Sequence, residues 1–292
     1  MINIKKVNEC TFDELSYVWN DVFSGYSQNM ELTVDQIAMM IGKKELFPSS
    51  SLVAFFDGKP AGFVLNSIKS LNGVKIAWNG GTGVVGSLRG KGIGRILLEE
   101  TFELYKKEAV ERATLEVLTG NKSAIALYES FGYVKECTLD VFDNISPGHF
   151  SSGREKSIYR LEKGSPADVR EINFYNPSVA WESMCENIFN GESYMALNEN
   201  GKPLGYTLSR PVRNNEGITS TILYQCELDP ALDEDEQKLL AIELLSNAFS
   251  VTRGFSYGRT GDFVTKSKKV YETIHNSIRP DLQRFLMNKI FV

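Results

Sequence analysis

Weak alternation of apolar and polar residues from Ile2 to Val7 predicts a short strand. Leu15, Val18, Trp19, Val22 and Phe23 follow at helical spacing. Thr11 and Glu14 stand ahead of them, three apart, as a capping box. Thr33 opens a second helix through Met40. Leu52 to Phe56 and Ala61 to Ile68 read as two strands joined by the tight turn Asp57-Gly58-Lys59-Pro60. Leu71-Asn72-Gly73 turns again into Val74 to Trp78. Beyond a glycine-rich stretch, Ile96, Leu97, Leu98, Phe102 and Leu104 recur on one side of a helix reaching Val110. Ala113 to Leu118 is a strand, Asn121 starts a helix, and Tyr133 to Phe142 returns as a strand. Two helices, three strands, then helix, strand, helix, strand predict an α/β (α+β) fold with a mixed sheet.

The second half repeats this pattern. Gly58-Lys59-Pro60-Ala61-Gly62 reappears 143 positions later as Gly201-Lys202-Pro203-Leu204-Gly205. Tyr194 to Leu197 and Ile218 to Tyr224 match the flanking strands. Leu239, Leu240, Ile242, Leu244 and Leu245 keep the amphipathic helix. With 292 residues, two domains are expected, with the boundary near 163 between Ser151-Ser152-Gly153-Arg154 and Lys163-Gly164-Ser165-Pro166.

The chemistry concentrates between the two halves of the first copy. Arg89-Gly90-Lys91-Gly92-Ile93-Gly94-Arg95 sits where a strand passes into a helix. Its glycines let backbone amides turn outward at a helix N-terminus, where partial positive charge collects. Three cationic side chains add to it. This is an anion site of pyrophosphate type. It has neither the Lys-Ser/Thr of a Walker loop nor the G-x-G-x-x-G of a dinucleotide loop. Upstream, Asn79-Gly80-Gly81-Thr82-Gly83-Val84 puts three glycines near a strand end, as at a bulge or a close ligand approach. In the second half the loop positions hold Leu232-Asp233-Glu234-Asp235-Glu236-Gln237, four carboxylates and no glycine.

The R-G-x-G-I-G loop, followed by Asn121, Ala124, Leu127, Tyr128, Gly132 and Tyr133 in the order N-x-x-A-x-x-L-Y-x-x-x-G-Y, resembles the GNAT N-acetyltransferase superfamily over residues 1–160. The resemblance implies a tandem of two GNAT-like domains: catalytic 1–162 and degenerate 163–292. It implies acetyl-CoA as cosubstrate. Arg89, Gly90, Lys91, Gly92, Ile93, Gly94 and Arg95 would hold the pyrophosphate. The backbone of Thr82, Val84 and Val85 would hold the pantetheine arm. Asn121 would either contact that arm or cap its helix. Tyr128 would be the acid that protonates the leaving thiolate, and Glu116, in Leu115-Glu116-Val117, the base that takes the amine proton. Tyr26, Asn29 and Glu31, with Asn79, would line the acceptor pocket. The acceptor would be a small-molecule or peptide amine. The alternative is a protein that binds an acyl-CoA as sensor or scaffold without transfer.

Composition narrows the rest. A formal charge of −5 does not suit a coat for nucleic acid or anionic membrane. Cys10, Cys137, Cys185 and Cys226 are far apart and form no C-x-x-C pair, and only His149 and His275 accompany them. No metal site and buried, reduced thiols are therefore expected. His149 reads as a surface loop histidine. The first residues lack the apolar run of a signal peptide, and no stretch of 18 apolar residues occurs. A cytoplasmic monomer or homodimer is the expectation.

Overall fold

The predicted element order holds through the first 142 residues of the computed structural model. The structure describes residues 1–24, 30–71, 73–150, 159–177, 179–213, 217, 219–250 and 253–291. The first elements are β1 (Ile2–Lys6), α1 (Phe12–Phe23), α2 (Val34–Lys43), β2 (Leu52–Phe56), β3 (Lys59–Leu71), β4 (Val74–Val84), α3 (Ile93–Lys107), β5 (Arg112–Leu118), α4 (Lys122–Ser130) and β6 (Val134–Val141). The remainder are β7 (Arg160–Gly164), β8 (Glu192–Leu197), β9 (Pro203–Arg213), β10 (Thr219–Leu228), α5 (Glu234–Ala248), β11 (Tyr257–Thr260), α6 (Lys268–Ser277) and β12 (Leu282–Ile290). They fall into two compact units, Met1–Glu136 with Leu286–Val292, and Cys137–Phe285.

In the first unit the expected capping box of α1 forms, and Thr33 caps α2 with a second box completed by Gln36. Thr11 accepts from Glu14 N at the start of α1, and Thr33 from Gln36 N at the start of α2. Neighbouring residues of β3 point to opposite sheet faces and so identify the layers. Phe63 stacks on Trp19 of α1, with ring centroids 5.4 Å apart. Gly62 faces Leu97 of α3, so α3 covers the other side. The buried stripe of α3 is Ile93, Leu97, Leu98, Thr101, Phe102 and Tyr105. Ile96 and Leu104, expected on it, are only half-buried. A spacing of four from Ile93 selects Leu97, Thr101 and Tyr105, and the hydroxyls of Thr101 and Tyr105 are satisfied internally by Leu97 O and Asn66 Oδ1.

The sheet order is β1-β2-β3-β4-β5-β12-β6. The returning strand β6 is not the neighbour of β5. Instead the C-terminal strand lies between them, and beyond its end Phe291 N–H donates to Glu111 O at 2.8 Å. Phe291 also packs on Phe102 and Tyr105. This pairing joins ends of the chain far apart in sequence, so no local pattern announces it.

In the second unit, β7 to β11 form a sheet in the order β11-β10-β9-β8-β7. The boundary expected near 163 falls inside this unit, because the chain after Cys137 pairs with it: Asp140 bridges Phe263 and Ile145 bridges Gly258. One face of the sheet packs on α5 and α6 through Leu223, Cys226, Leu240, Leu244 and Ile274. The other packs Tyr206, Leu208 and Ile222 against Val169, Ile172 and Cys185. All four cysteines are free. Cys185 and Cys226 are buried as expected, but Cys10 and Cys137 are only half-buried.

Candidate functional site

β4 and β5 run parallel in register from Ile76–Arg112 to Asn79–Leu115, and there the register ends. At the same point β4 slips one residue against β3. Asn66 faces Asn79 and Leu65 faces Gly81, which leaves Gly80 as a bulge. Asn79 is buried and braces the bulge. Its Oδ1 accepts from Gly81 N at 3.1 Å, and its Nδ2 donates to Thr82 Oγ1 at 2.8 Å. β4 continues to Val84 with β3 alone. Val85 N–H donates to Ala61 O, so alternation along the ladder turns the backbone of Gly83 toward β3. The backbone groups of Thr82 and Val84 therefore point the other way, into the opening left by β5. Val85 does not share that opening: its amide is bonded to Ala61 O and its carbonyl accepts from Leu88 N.

The loop then delivers the chain to α3. Gly90 and Gly92 adopt φ of 77° and 81°, left-handed values that a side chain would strain. Gly92 is the N-cap, and no side chain caps α3. The other five described α-helices are all capped, by Thr11, Thr33, Asn121, Asp233 and Ser267. The first intrahelical bond is Ile96 N to Gly92 O, so the amides of Ile93, Gly94 and Arg95 are the open donors of the helix start. Ile93 buries its side chain beneath them. Lys91 and Arg95 are exposed cations beside these amides. Arg89 is exposed as well but is tied to the backbone: its Nε donates to Val84 O at 3.2 Å and its Nη2 to Val22 O at 3.3 Å. It ties the end of β4 to the end of α1.

Across from the helix start stands α4. Leu127 Cδ2 comes within 3.3 Å of where a Cβ on Gly94 would be, so α4 borders the amides directly. Asn121 caps α4 through Ala124 N at 3.2 Å, the second of its two expected roles. Tyr128, next to Leu127, is buried, with its ring edge-on to Tyr133 at 5.8 Å. Burial raises the phenol of Tyr133 well above its ordinary range, with Tyr105 and Tyr128 adding to the effect. Glu116 lies on β5 one residue past the last registered pair, and its Oε2 accepts from the indole Nε1 of Trp78 at 2.7 Å. Glu31 is exposed, and Tyr26 and Asn29 lie outside the described residues. His149 is exposed. Sequence reasoning missed Trp78 as a partner of Glu116, although its position just before three glycines was a signal. Among the described residues, no three His, Cys, Asp or Glu side chains gather as metal ligands, and no helix is long and apolar enough to cross a membrane.

The sequence pattern described as the acetyltransferase (GNAT) family matches residues 15–133, from α1 to the residue before β6. Residues 15–133 are a GNAT acetyltransferase domain. The chain as a whole is similar in fold to tandem GNAT proteins. One from the clavulanic acid biosynthesis pathway has 13% identity, a TM-score of 0.62, and coverage of 99% of this chain and 98% of its own. A putative acetyltransferase from Pyrococcus horikoshii has 16% identity, a TM-score of 0.61 and coverage of 100% and 89%. A GCN5-related glucosamine N-acetyltransferase region of a fungal multi-domain β-N-acetylglucosaminidase has 14% identity and a TM-score of 0.70 over 99% of this chain. This chain spans only 38% of that fungal chain. No curated protein matches in sequence.

The second unit repeats the frame of the first, and its own corresponding site is closed. β10 and β11 are parallel and lose register after Leu223–Thr260. β10 slips there against β9, with Tyr224 as the extra residue in the position of Gly80. The helix start is shut: the carboxylate of Asp233 accepts from Asp235 N at 3.0 Å and Glu236 N at 2.8 Å. The opening is filled. Buried Gln225 donates to Ser183 O at 2.7 Å and accepts from Tyr206 at 2.8 Å. Buried Glu227 accepts from Asn176 Nδ2, Thr265 Oγ1, Lys266 N and Ser267 N. Seven residues past its cap, where α4 has Tyr128, α6 has Ile274.

Proposed function

We propose that the first unit transfers the acetyl group of acetyl-CoA to a primary amine by direct attack, and that the second unit binds no coenzyme. The uncapped, glycine-opened start of α3 beside the parted strands β4 and β5 carries this reading. The open amides and the cations Lys91 and Arg95 suit a pyrophosphate. The outward backbone of Thr82 and the amide of Val84, whose carbonyl accepts from Arg89, suit the amides of a pantetheine arm. Arg89 would serve the phosphates from its station at Val84 O. The transfer itself asks for a neutral amine, a held thioester and a proton for the leaving thiolate. Glu116 takes the amine proton and Tyr128 supplies the thiolate proton. Asn79, Glu31, Tyr26 and Asn29 belong to the acceptor side in this reading, and the acceptor is a small molecule or a peptide. Catalysis resides in the first unit, and the second unit is its degenerate copy. The test is thiol release from acetyl-CoA against a panel of primary amines. Acetyl-CoA binding without amine-dependent thiol release from any of them would leave a coenzyme-binding protein instead.

A further inference from the structure

Glu116 occupies an unusual position for a side chain that must be held still. It lies one residue past Leu115, on the stretch of β5 that has left its neighbour β4. Trp78 reaches it from across that parting. Trp78 pairs with Thr114, and Thr114 and Glu116 share a sheet face because they are two apart on one strand. The indole is 2% exposed, and its Nε1 donates to Glu116 Oε2 at 2.7 Å, a short bond to a carboxylate. A buried indole N–H needs an acceptor, and in this fold Glu116 supplies it.

The ring is locked as well. A Cβ on Gly80 would lie 2.7 Å from Trp78 Cζ3 and 2.9 Å from Leu46 Cδ2. Only the missing side chain at the bulge lets Trp78 and Leu46 close together there. Lys44 Nζ lies 5.8 Å from the ring centroid. Glu45, beside Leu46, is ion-paired to Lys69.

We infer that Trp78, seated by the bulge at Gly80, is a positioning residue for Glu116: its indole N–H holds the carboxylate at the parted end of β5. This inference rests on the reading of Glu116 as the base. The bulge then has two jobs. It opens β4 for the coenzyme arm and it makes room for the ring that sets the base.

The experiment compares Trp78→Phe, Glu116→Gln and the double variant in kcat/KM against pH, with acetyl-CoA and the amine of the panel that releases thiol fastest. Acetyl-CoA affinity by calorimetry checks that each variant is folded. Trp78→Phe keeps an aromatic ring and removes the donor. Loss of a hydrogen bond to the carboxylate should move the acidic limb of the profile up by about one pH unit. Added to Glu116→Gln, the same change should lower the rate less than threefold, because Trp78 acts only through Glu116. An unmoved limb, or a loss that multiplies in full on Glu116→Gln, overturns the inference while a slow Glu116→Gln keeps the base. A Glu116→Gln enzyme with the wild-type rate overturns the base assignment itself.

Discussion

Asn79 and Leu115 are the last pair of β4 and β5 held in register, and the site of the first unit begins where they part. Leu223 and Thr260 hold the same place between β10 and β11. The fold opens both sheets at one position. What differs is the content of each opening: backbone and glycine in the first, Gln225 and Glu227 in the second.

Arg89→Ala should raise the KM for acetyl-CoA more than it lowers kcat. A lost charged hydrogen bond corresponds to about 1.5–3 kcal/mol. Arg89 also joins Val84 O to Val22 O, so the melting temperature should fall slightly. Steady-state kinetics with acetyl-CoA varied is the check. An unchanged KM contradicts a phosphate role.

Tyr128→Phe keeps the buried ring and its contact with Tyr133 while removing the proton. General acid catalysis contributes roughly 10²–10⁴-fold, so kcat should fall by that order with coenzyme affinity unchanged. A near-normal kcat would mean that the thiolate leaves without Tyr128.

Much of this site was legible before the fold. The glycines at 90 and 92 signal an open helix start because both take left-handed turns there, and Gly94 leaves room for Leu127. The Gly80-Gly81 pair marked the bulge. The repeated Gly-Lys-Pro-x-Gly turn marked the second unit. Other features had no local signal. β12 joins the first unit's sheet through residues at the far end of the chain. The Trp78–Glu116 bond joins two strands that are adjacent only once folded. The backbone of Val85 is committed to Ala61 and Leu88 by the register of β3 on β4, which a residue string does not display.

Glu227 gives a pH signature to the second unit. Burial raises its carboxyl above the ordinary value, against the opposing hydrogen bonds from Lys266, Asn176, Thr265 and Ser267. The folded state therefore binds its proton more tightly than the unfolded state. Its contribution is full below the unfolded value near 4.5 and is lost as pH rises through the raised folded value. Glu227→Gln removes that dependence. Between pH 4.5 and pH 8 the melting temperature of the wild type should fall relative to that of the variant. Parallel curves, or a relative rise, contradict the assignment.

The central claim is that one of two similar openings binds coenzyme. Asp233 closes the start of α5, and like charges a few ångströms apart at a surface cost about 1–4 kcal/mol per pair, so Glu234, Asp235 and Glu236 would repel a pyrophosphate there. Gly92→Val places a β-branched residue at φ 81° and should destroy the first site. Titration calorimetry of acetyl-CoA into the full chain should give a stoichiometry near one for the wild type and no binding for a folded Gly92→Val. A second equivalent that survives Gly92→Val would show a working coenzyme site in the second unit and contradict the account.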